Sequence, residues 1–420
     1  MSEPRKILGL WWLPTAPADK WIGTLTLAPD ESPELRTTVQ KGFELHTETS
    51  PGVLHGCDRH GNPITLLFVG RPGAETAAVL SQHTWTAGCA LLGIELPEPK
   101  AFGVNALYVS LQHLSEWVQM TGFQSFGFAP DFAGYKVEYR RPEDVSFPLD
   151  SERTVAFSFS FGFNPTPPKA EMSEGVSICF KSTKGFTFAD CDRLTRSIRH
   201  LLHFAVLKQI YPLETTAYKE GYGDQVGENF SKRSIEVCSA LNRLPVKPEN
   251  HPDRWVFRFA DVKANFGEFY AKWLAYLEKF DEALGCYAST IYHRLPDSIE
   301  HLCLTQAFEA YHGIKFDSHK KQTFETKIRE LAEAHRAHLQ GLVDDPAEFA
   351  KTVLDNRNYY THHNPEKLKG GRVVSGMELY RLNEKLRLLF QMCVLADNGI
   401  PAERFGRLRH QLASHYVEYC

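Results

Sequence analysis

The period of the hydrophobic pattern changes along this chain, and that change restricts the fold more than any other feature. Val155, Phe157, Phe159 and Phe161 alternate with Ala156, Ser158 and Ser160, the two-residue repeat of a strand that buries one face. Strand-like segments of the same kind run over Trp21 to Leu27, Ile64 to Val69, Ala101 to Leu111, Gly134 to Tyr139 and Val176 to Phe180. From Phe266 onward the spacing becomes three or four, through Phe269, Trp273, Leu277, Phe280 and Leu284, which is the stripe of an amphipathic helix. One layer cannot serve both periods, so the chain reads as α+β with two domains. The first is β-rich and sandwich-like, with Gly and Pro punctuation that suits antiparallel strands; the second is an all-α bundle.

The boundaries follow from the same pattern. Residues 1–265 form the β-rich domain, 266–297 a helical connector and 298–420 the helical domain. One helix interrupts the β-rich part, with Asp190 as its cap and a stripe through Leu194, Ile198, Leu201, Leu202, Ala205 and Ile210 before Pro212. Thr216 to Asn229, with Gly221, Gly223 and Gly227, reads as a loop, and Trp255 to Phe259 as a closing strand. Five helices are expected in the last domain, over about Ser298 to His312, about Lys320 to Gln340, from Asp345-Pro346, from a Ser375 cap, and from Pro401. Asp345, Pro346 and Glu348 supply a cap, a first-turn proline and an acidic first turn.

Composition excludes several functional classes. Of 420 residues 43% are hydrophobic and 23% charged, so a folded chain with sizeable cores is expected. Nine cysteines occur singly with no C-x-x-C pair, which argues against a disulfide framework or a structural zinc site. His55-Gly56-Cys57-Asp58-Arg59-His60 is a half-site at most, and Asp58 to Pro63 has the chemistry of a hairpin turn. No stretch approaches the length of a membrane span, and a cytoplasmic location is expected. The net charge of −4 argues against a broad nucleic-acid-coating surface. The charge is uneven: from Ser298 to Cys420 there are 17 Lys+Arg against 16 Asp+Glu, leaving 30 against 35 in the preceding residues.

No Walker loop, dinucleotide fingerprint, nucleophile elbow or H-E-x-x-H helix is present. The polar concentration of interest is Asp355-Asn356-Arg357-Asn358-Tyr359-Tyr360-Thr361-His362-His363-Asn364-Pro365, at the end of the third bundle helix, which Pro365 should stop near His363. An imidazole can move protons near neutral pH, and a guanidinium can hold a phosphate and stabilise charge developing on its oxygens. If the helix loosens at its end, Arg357 and His362 project toward one cleft and suit RNA cleavage without a metal. A plainer origin is complementarity of both residues to the helix dipole.

Arg357-Asn358-Tyr359-Tyr360-Thr361-His362 resembles the HEPN signature of an arginine, a polar companion and a histidine. Leu302 to His312 resembles the entry helix of ApeA-like HEPN domains, and the β-rich region resembles the N-terminal domain of anti-phage ApeA proteins. The resemblance implies a ribonuclease of abortive infection that uses no metal or other cofactor. It also implies a homodimer or higher oligomer with a composite site, an RNA substrate, possibly tRNA, and a phage-derived trigger. By position Arg357 is the phosphate-stabilising cation, His362 the acid/base and Asn358 the companion; His363 also satisfies the spacing. Glu309 either supports this site across the bundle or is a solvated glutamate. His335 and His338 are expected on an amphipathic face, and Cys303 and Cys393 in the core. Two alternatives compete with this reading. One is a non-catalytic module, with a β-rich recognition domain and a dimerising bundle. The other is a toxin silenced by modification of a nearby tyrosine.

Overall fold

Strands with one apolar face must stack laterally to satisfy their backbone groups, and the first part of the chain does this at length. The structure, a computed structural model, describes residues 4–40, 50–76, 80–128, 135–166, 171–226, 229–244, 246, 255–317, 322–363, 368 and 371–408. It falls into two units, Met1–Leu202 with Ile210–Asn250, and His203–Gln209 with His251–Cys420.

The strands of the first unit are β1 (Arg5–Trp12), β2 (Trp21–Leu27), β3 (Glu34–Gln40), β4 (Gly52–Asp58), β5 (Pro63–Val69), β6 (Gly73–Thr76), β7 (Leu80–Thr86) and β8 (Cys89–Leu92). They continue with β9 (Val104–Leu111), β10 (Phe123–Phe128), β11 (Tyr135–Tyr139), β12 (Val145–Pro148), β13 (Arg153–Asn164), β14 (Glu171–Phe186), β15 (Pro212–Val226) and β16 (Asn229–Ser239). Helix α1 (Leu114–Val118) follows β9, and α2 (Phe188–Val206) follows β14. Among the described residues one antiparallel sheet of 14 strands has the order β12-β13-β14-β9-β15-β16-β8-β5-β4-β1-β2-β3-β7-β6, and β10 and β11 pair separately.

A sheet this wide does not stay flat. Trp11, Trp21, Leu25, Leu54, Leu66 and Trp85, from five strands, share one core, with Trp21 stacked on Trp85 at 6.2 Å. Gly56 is required there, because a Cβ on it would lie 2.3 Å from the Trp11 ring. In the other arm Leu107, Val109, Phe157, Ile178 and Phe180 point to the buried face, where Trp117 of α1 meets Phe157. Phe188 and Cys191 of α2 line a cavity with Leu107 and Val237 on that same side.

Several local expectations change. The stretch Thr216 to Asn229 belongs to the β15–β16 hairpin wherever it is described. Gly221 and Gly223 serve a bulge, since Gly221 has φ +68° and a Cβ on Gly223 would lie 2.1 Å from the Ser231 carbonyl oxygen; Gly227 lies outside the described residues. Trp255 to Phe259 is a bend leading into a helix of the second unit, its aromatic residues filling a core rather than a strand face. Thr187 caps α2, with Asp190 as the reciprocal third residue: each side chain bonds the other's backbone N–H, at 3.2 and 3.0 Å. Near Cys57 the hairpin turn is present, with Asp58 Oδ1 accepting from the backbone N–H groups of His60 and Asn62.

The second unit contains α3 (Phe259–Val262), α4 (Phe266–Lys279), α5 (Asp281–Tyr292), α6 (Asp297–Phe316), α7 (Phe324–Ala334), α8 (Arg336–Leu339), α9 (Pro346–His362) and α10 (Met377–Asp397). Helix α6 runs past Gly313, which is buried, to a left-handed Asp317. The helix expected through Gln340 breaks at His335, whose ring lies 6.0 Å from Phe405. Gly376, at φ +56°, replaces Ser375 as the residue before α10. Residues beyond 408 in the expected fifth helix lie outside the described residues.

A buried relay ties the second unit together. Gln391 Nε2 donates to the Tyr287 hydroxyl at 2.7 Å, and that hydroxyl lies 2.9 Å from His203 Nε2. His203 Nδ1 lies 2.8 Å from the Lys208 carbonyl oxygen, so the proton sits on Nδ1 and Nε2 accepts from Tyr287. Burial holds this imidazole down to about 4, against the opposing pull of its backbone bond, and burial also lowers His301 and His312. These rings are neutral when folded, whereas the unfolded chain takes up protons below about 6.5. Stability is therefore fully present above about pH 6.5 and falls as pH drops toward 4, by about 3 kcal/mol from His203 alone. Urea unfolding at stepped pH should show that loss, and His203→Gln should flatten it.

Candidate functional site

Helix α9 begins where its sequence signals place it. Asp345 Oδ1 accepts from the backbone N–H groups of Ala347 and Glu348 at 2.8 and 3.2 Å, and Pro346 occupies the first turn. It ends at His362, with His363 in the left-handed conformation at φ +48°. Asn364 and Pro365 lie outside the described residues.

Arg357 projects from α9 toward α6 and α7. Its Nη2 donates to Glu309 Oε2 at 2.5 Å, and its guanidinium carbon sits 4.7 Å from the centre of the Phe324 ring. Glu309 Oε1 lies 3.8 Å from Nζ of Lys327, a side chain only 1% exposed. Glu309 thus reaches Arg357 across the bundle while keeping 39% of its side chain exposed. Arg357 keeps 27% of its side chain exposed. A guanidinium supported from beneath by an aromatic face and from one side by a carboxylate has few rotamers left, while its outer N–H groups stay available to an anion.

His362 is exposed and makes no hydrogen bond, ion pair or ring contact among the described residues. Its neighbour His363 is also exposed, with its ring 5.7 Å from Tyr359. The helix stays regular to His362, so the expected loosening does not occur among residues 357–362. Five residues at 3.6 per turn set Arg357 and His362 about 140° apart around the axis. The structure thus joins Arg357 to Glu309, Phe324 and Lys327, and leaves His362 and His363 outside that group. Asn358 is half-buried, and its side chain has no partner among the described residues.

Asn356 is the residue that sequence reasoning passed over. Fully buried, its Nδ2 donates to the Thr352 and Arg372 carbonyl oxygens, both at 2.8 Å, and its Oδ1 accepts from the Val374 N–H at 2.9 Å. Tyr360 donates to the Val374 carbonyl oxygen at 2.6 Å, and Arg372 Nε to Glu348 Oε1 at 2.6 Å. Below α9, His301 Nδ1 bonds Asn383 Oδ1 at 2.9 Å; Nε2 sits 3.4 Å from the Val353 carbonyl oxygen. The only advance signal was an amide one turn before Tyr360, and its partners lie 16 and 18 residues away. Cys393 is a core residue, with burial pushing its thiol up to about 12; Cys303 is half-buried.

A β-rich region followed by a helical bundle makes this a two-part protein, and its two parts match two family models of the ApeA-like HEPN class. Residues 6–273 match the family described as ApeA N-terminal domain 1, and residues 302–404 match the one described as Apea-like HEPN. The chain belongs to this ApeA-like HEPN family. No curated protein and no solved structure matches it. No helix among the described residues is long and apolar enough to cross a membrane.

Removal of the buried Asn356 amide strands the Val374 N–H and the Arg372 carbonyl together. Asn356→Ala should cost about 2–4 kcal/mol in urea unfolding and speed hydrogen exchange at the Val374 amide. Asn358→Ala, with no side-chain partner to lose among the described residues, should stay within about 0.5 kcal/mol of wild type.

Proposed function

We propose that this protein is an anti-phage endoribonuclease of abortive infection, cytoplasmic and acting on RNA, with tRNA as a candidate target. The observation that supports this most is the support given to Arg357, whose guanidinium is braced by Glu309 and Phe324 and still open to solvent. Membership of an Apea-like HEPN family supports the same class of chemistry.

In this reading the ribose 2′-oxygen attacks the adjacent phosphorus while His362 takes its proton. Arg357 holds the non-bridging oxygens as negative charge grows on them, and the bond to the 5′-oxygen breaks as that oxygen takes a proton from water. The products are a 2′,3′-cyclic phosphate and a 5′-hydroxyl. No step requires a metal or another cofactor. Asn358 and His363 stand beside the pair as supporting residues, and His363 is the second candidate for the acid/base role. Since Arg357 and His362 diverge around one helix, a homodimer that brings α9 of one protomer against α9 of its partner completes the site. Histidine from one copy then meets arginine from the other. The β-rich domain, residues 1–265, senses a phage-derived trigger or restrains the 298–420 domain, with 266–297 as connector.

End-mapping of RNA after induction should find cyclic or 3′-phosphate ends with wild type and none with Arg357→Ala/His362→Ala. Cleavage by purified protein should persist in EDTA and fall at least about a hundredfold in each single variant. Mixing the two single variants should restore part of the activity, because a mixed dimer holds one intact composite site. Cutting that needs added Mg²⁺, or survives both substitutions, would sink the mechanism; no cutting at all, with equal growth phenotypes for wild type and the variants, would favour a non-catalytic binding module.

A further inference from the structure

The face of the large sheet opposite α1 and α2 carries a cavity of about 510 Å³ that the ribonuclease reading does not use. It lies over β14, β9 and β15, where Tyr108 and Tyr218 meet edge to face at 5.5 Å. Two irregularities in the ladder flank it. Register shifts between Lys181 and Phe186 on β14, and again between Tyr218 and Gly223 where β15 meets β16. Bulges of this kind bend strands and open a concavity in an otherwise pleated surface. Asn105 braces the rim: its Nδ2 donates to the Ser182 carbonyl oxygen at 3.3 Å, and its Oδ1 accepts from the Glu220 N–H at 2.9 Å.

The charges lining the cavity differ from those around it. Elsewhere in this unit basic side chains repeatedly face carboxylates, as in Arg5–Glu236, Arg153–Asp150 and Arg233–Asp224. Lys181, Lys219 and Lys232 line the cavity and face no carboxylate within ion-pair distance among the described residues. Of the two glutamates that share the lining, Glu152 is neutralised by Lys184 at 2.5 Å, which leaves Glu220 against three ammonium groups. Three unpaired lysines beside two aromatic rings, in a unit with more acidic than basic residues, cost self-repulsion that an anion would relieve. The volume is in the range that holds a small molecule.

We propose that this cavity is a nucleotide-binding site, with the base against Tyr108 and Tyr218 and the phosphates on Lys181, Lys219 and Lys232. Aromatic faces accept any base, and ammonium groups act on phosphates as point charges, so the pocket selects the class rather than one member. The site belongs to the first unit and Arg357 and His362 to the second, and the proposal does not rest on RNA cleavage.

Calorimetric titration of the full chain with ATP, GTP, CTP and UTP tests it, with adenosine and pyrophosphate as partial ligands. At least one nucleotide should bind in the micromolar range, with both partial ligands at least about tenfold weaker. Lys181→Glu/Lys219→Glu and Tyr218→Ala should each weaken binding by about tenfold or more, and Arg357→Ala should leave it unchanged. Failure of all four nucleotides to bind at about 1 mM overturns the proposal. So does pyrophosphate binding as tightly as the nucleotide, or affinity that survives the lysine substitutions. If a variant loses its circular dichroism spectrum, crosslinking of 8-azido-ATP to the wild type decides: label on peptides containing Tyr108 or Tyr218 supports the site, and label elsewhere overturns it.

Discussion

The buried amide of Asn356 anchors α9 to the 371–374 segment, and the placement of Arg357 follows from that anchor. A fully buried amide has to satisfy both its donor and its acceptor, and here it does so on Thr352, Arg372 and Val374. Those bonds hold the 371–374 segment along α9 and, with the Tyr360 bond to Val374, fix the rotation of the helix about its own axis. Rotation in turn decides that Arg357, the next residue, faces Glu309 and Phe324. One polar side chain in a helix interior thereby orients a guanidinium that it never touches.

The charge organisation around Arg357 has its own logic. Lys327 brings an almost fully buried ammonium near Glu309, so this carboxylate answers two cations at once. A carboxylate shared in this way restrains Arg357 without neutralising its outer N–H groups, and the Phe324 ring beneath it limits the directions the guanidinium can take. His362, on another side of the same helix, is left with solvent. In the proposed mechanism one chain therefore supplies half of the constellation, and a second copy supplies the rest.

Legibility in the sequence followed the range of the interactions involved. The strand at Val155–Phe161, the Asp345-Pro346 start of α9 and the apolar stripes of the bundle depend on residues a few positions apart, and each is present, although the buried face of that strand ends at Phe159 and Phe161 is exposed. The β15–β16 hairpin was hidden because three glycines look like a loop until Ser231 and Tyr218 are seen across the bulge. Trp255 to Phe259 misled for the converse reason, being a compact apolar run whose burial comes from packing among helices rather than from strand pairing.

The sequence by itself determined the β-rich and helical division, the family resemblance, and the presence of an arginine and a histidine on one helix end. Periodicity and motif spacing are local quantities, and a single chain displays them without folding. Tertiary structure alone decided that Glu309, 48 residues from Arg357, is its partner, that Asn356 rather than Asn358 is the anchored amide, and that His362 stands apart. It also decided that Tyr108, Lys181 and Tyr218 meet over one concavity. Such pairings depend on strand register and helix rotation, which the packing of distant segments fixes and no local pattern encodes.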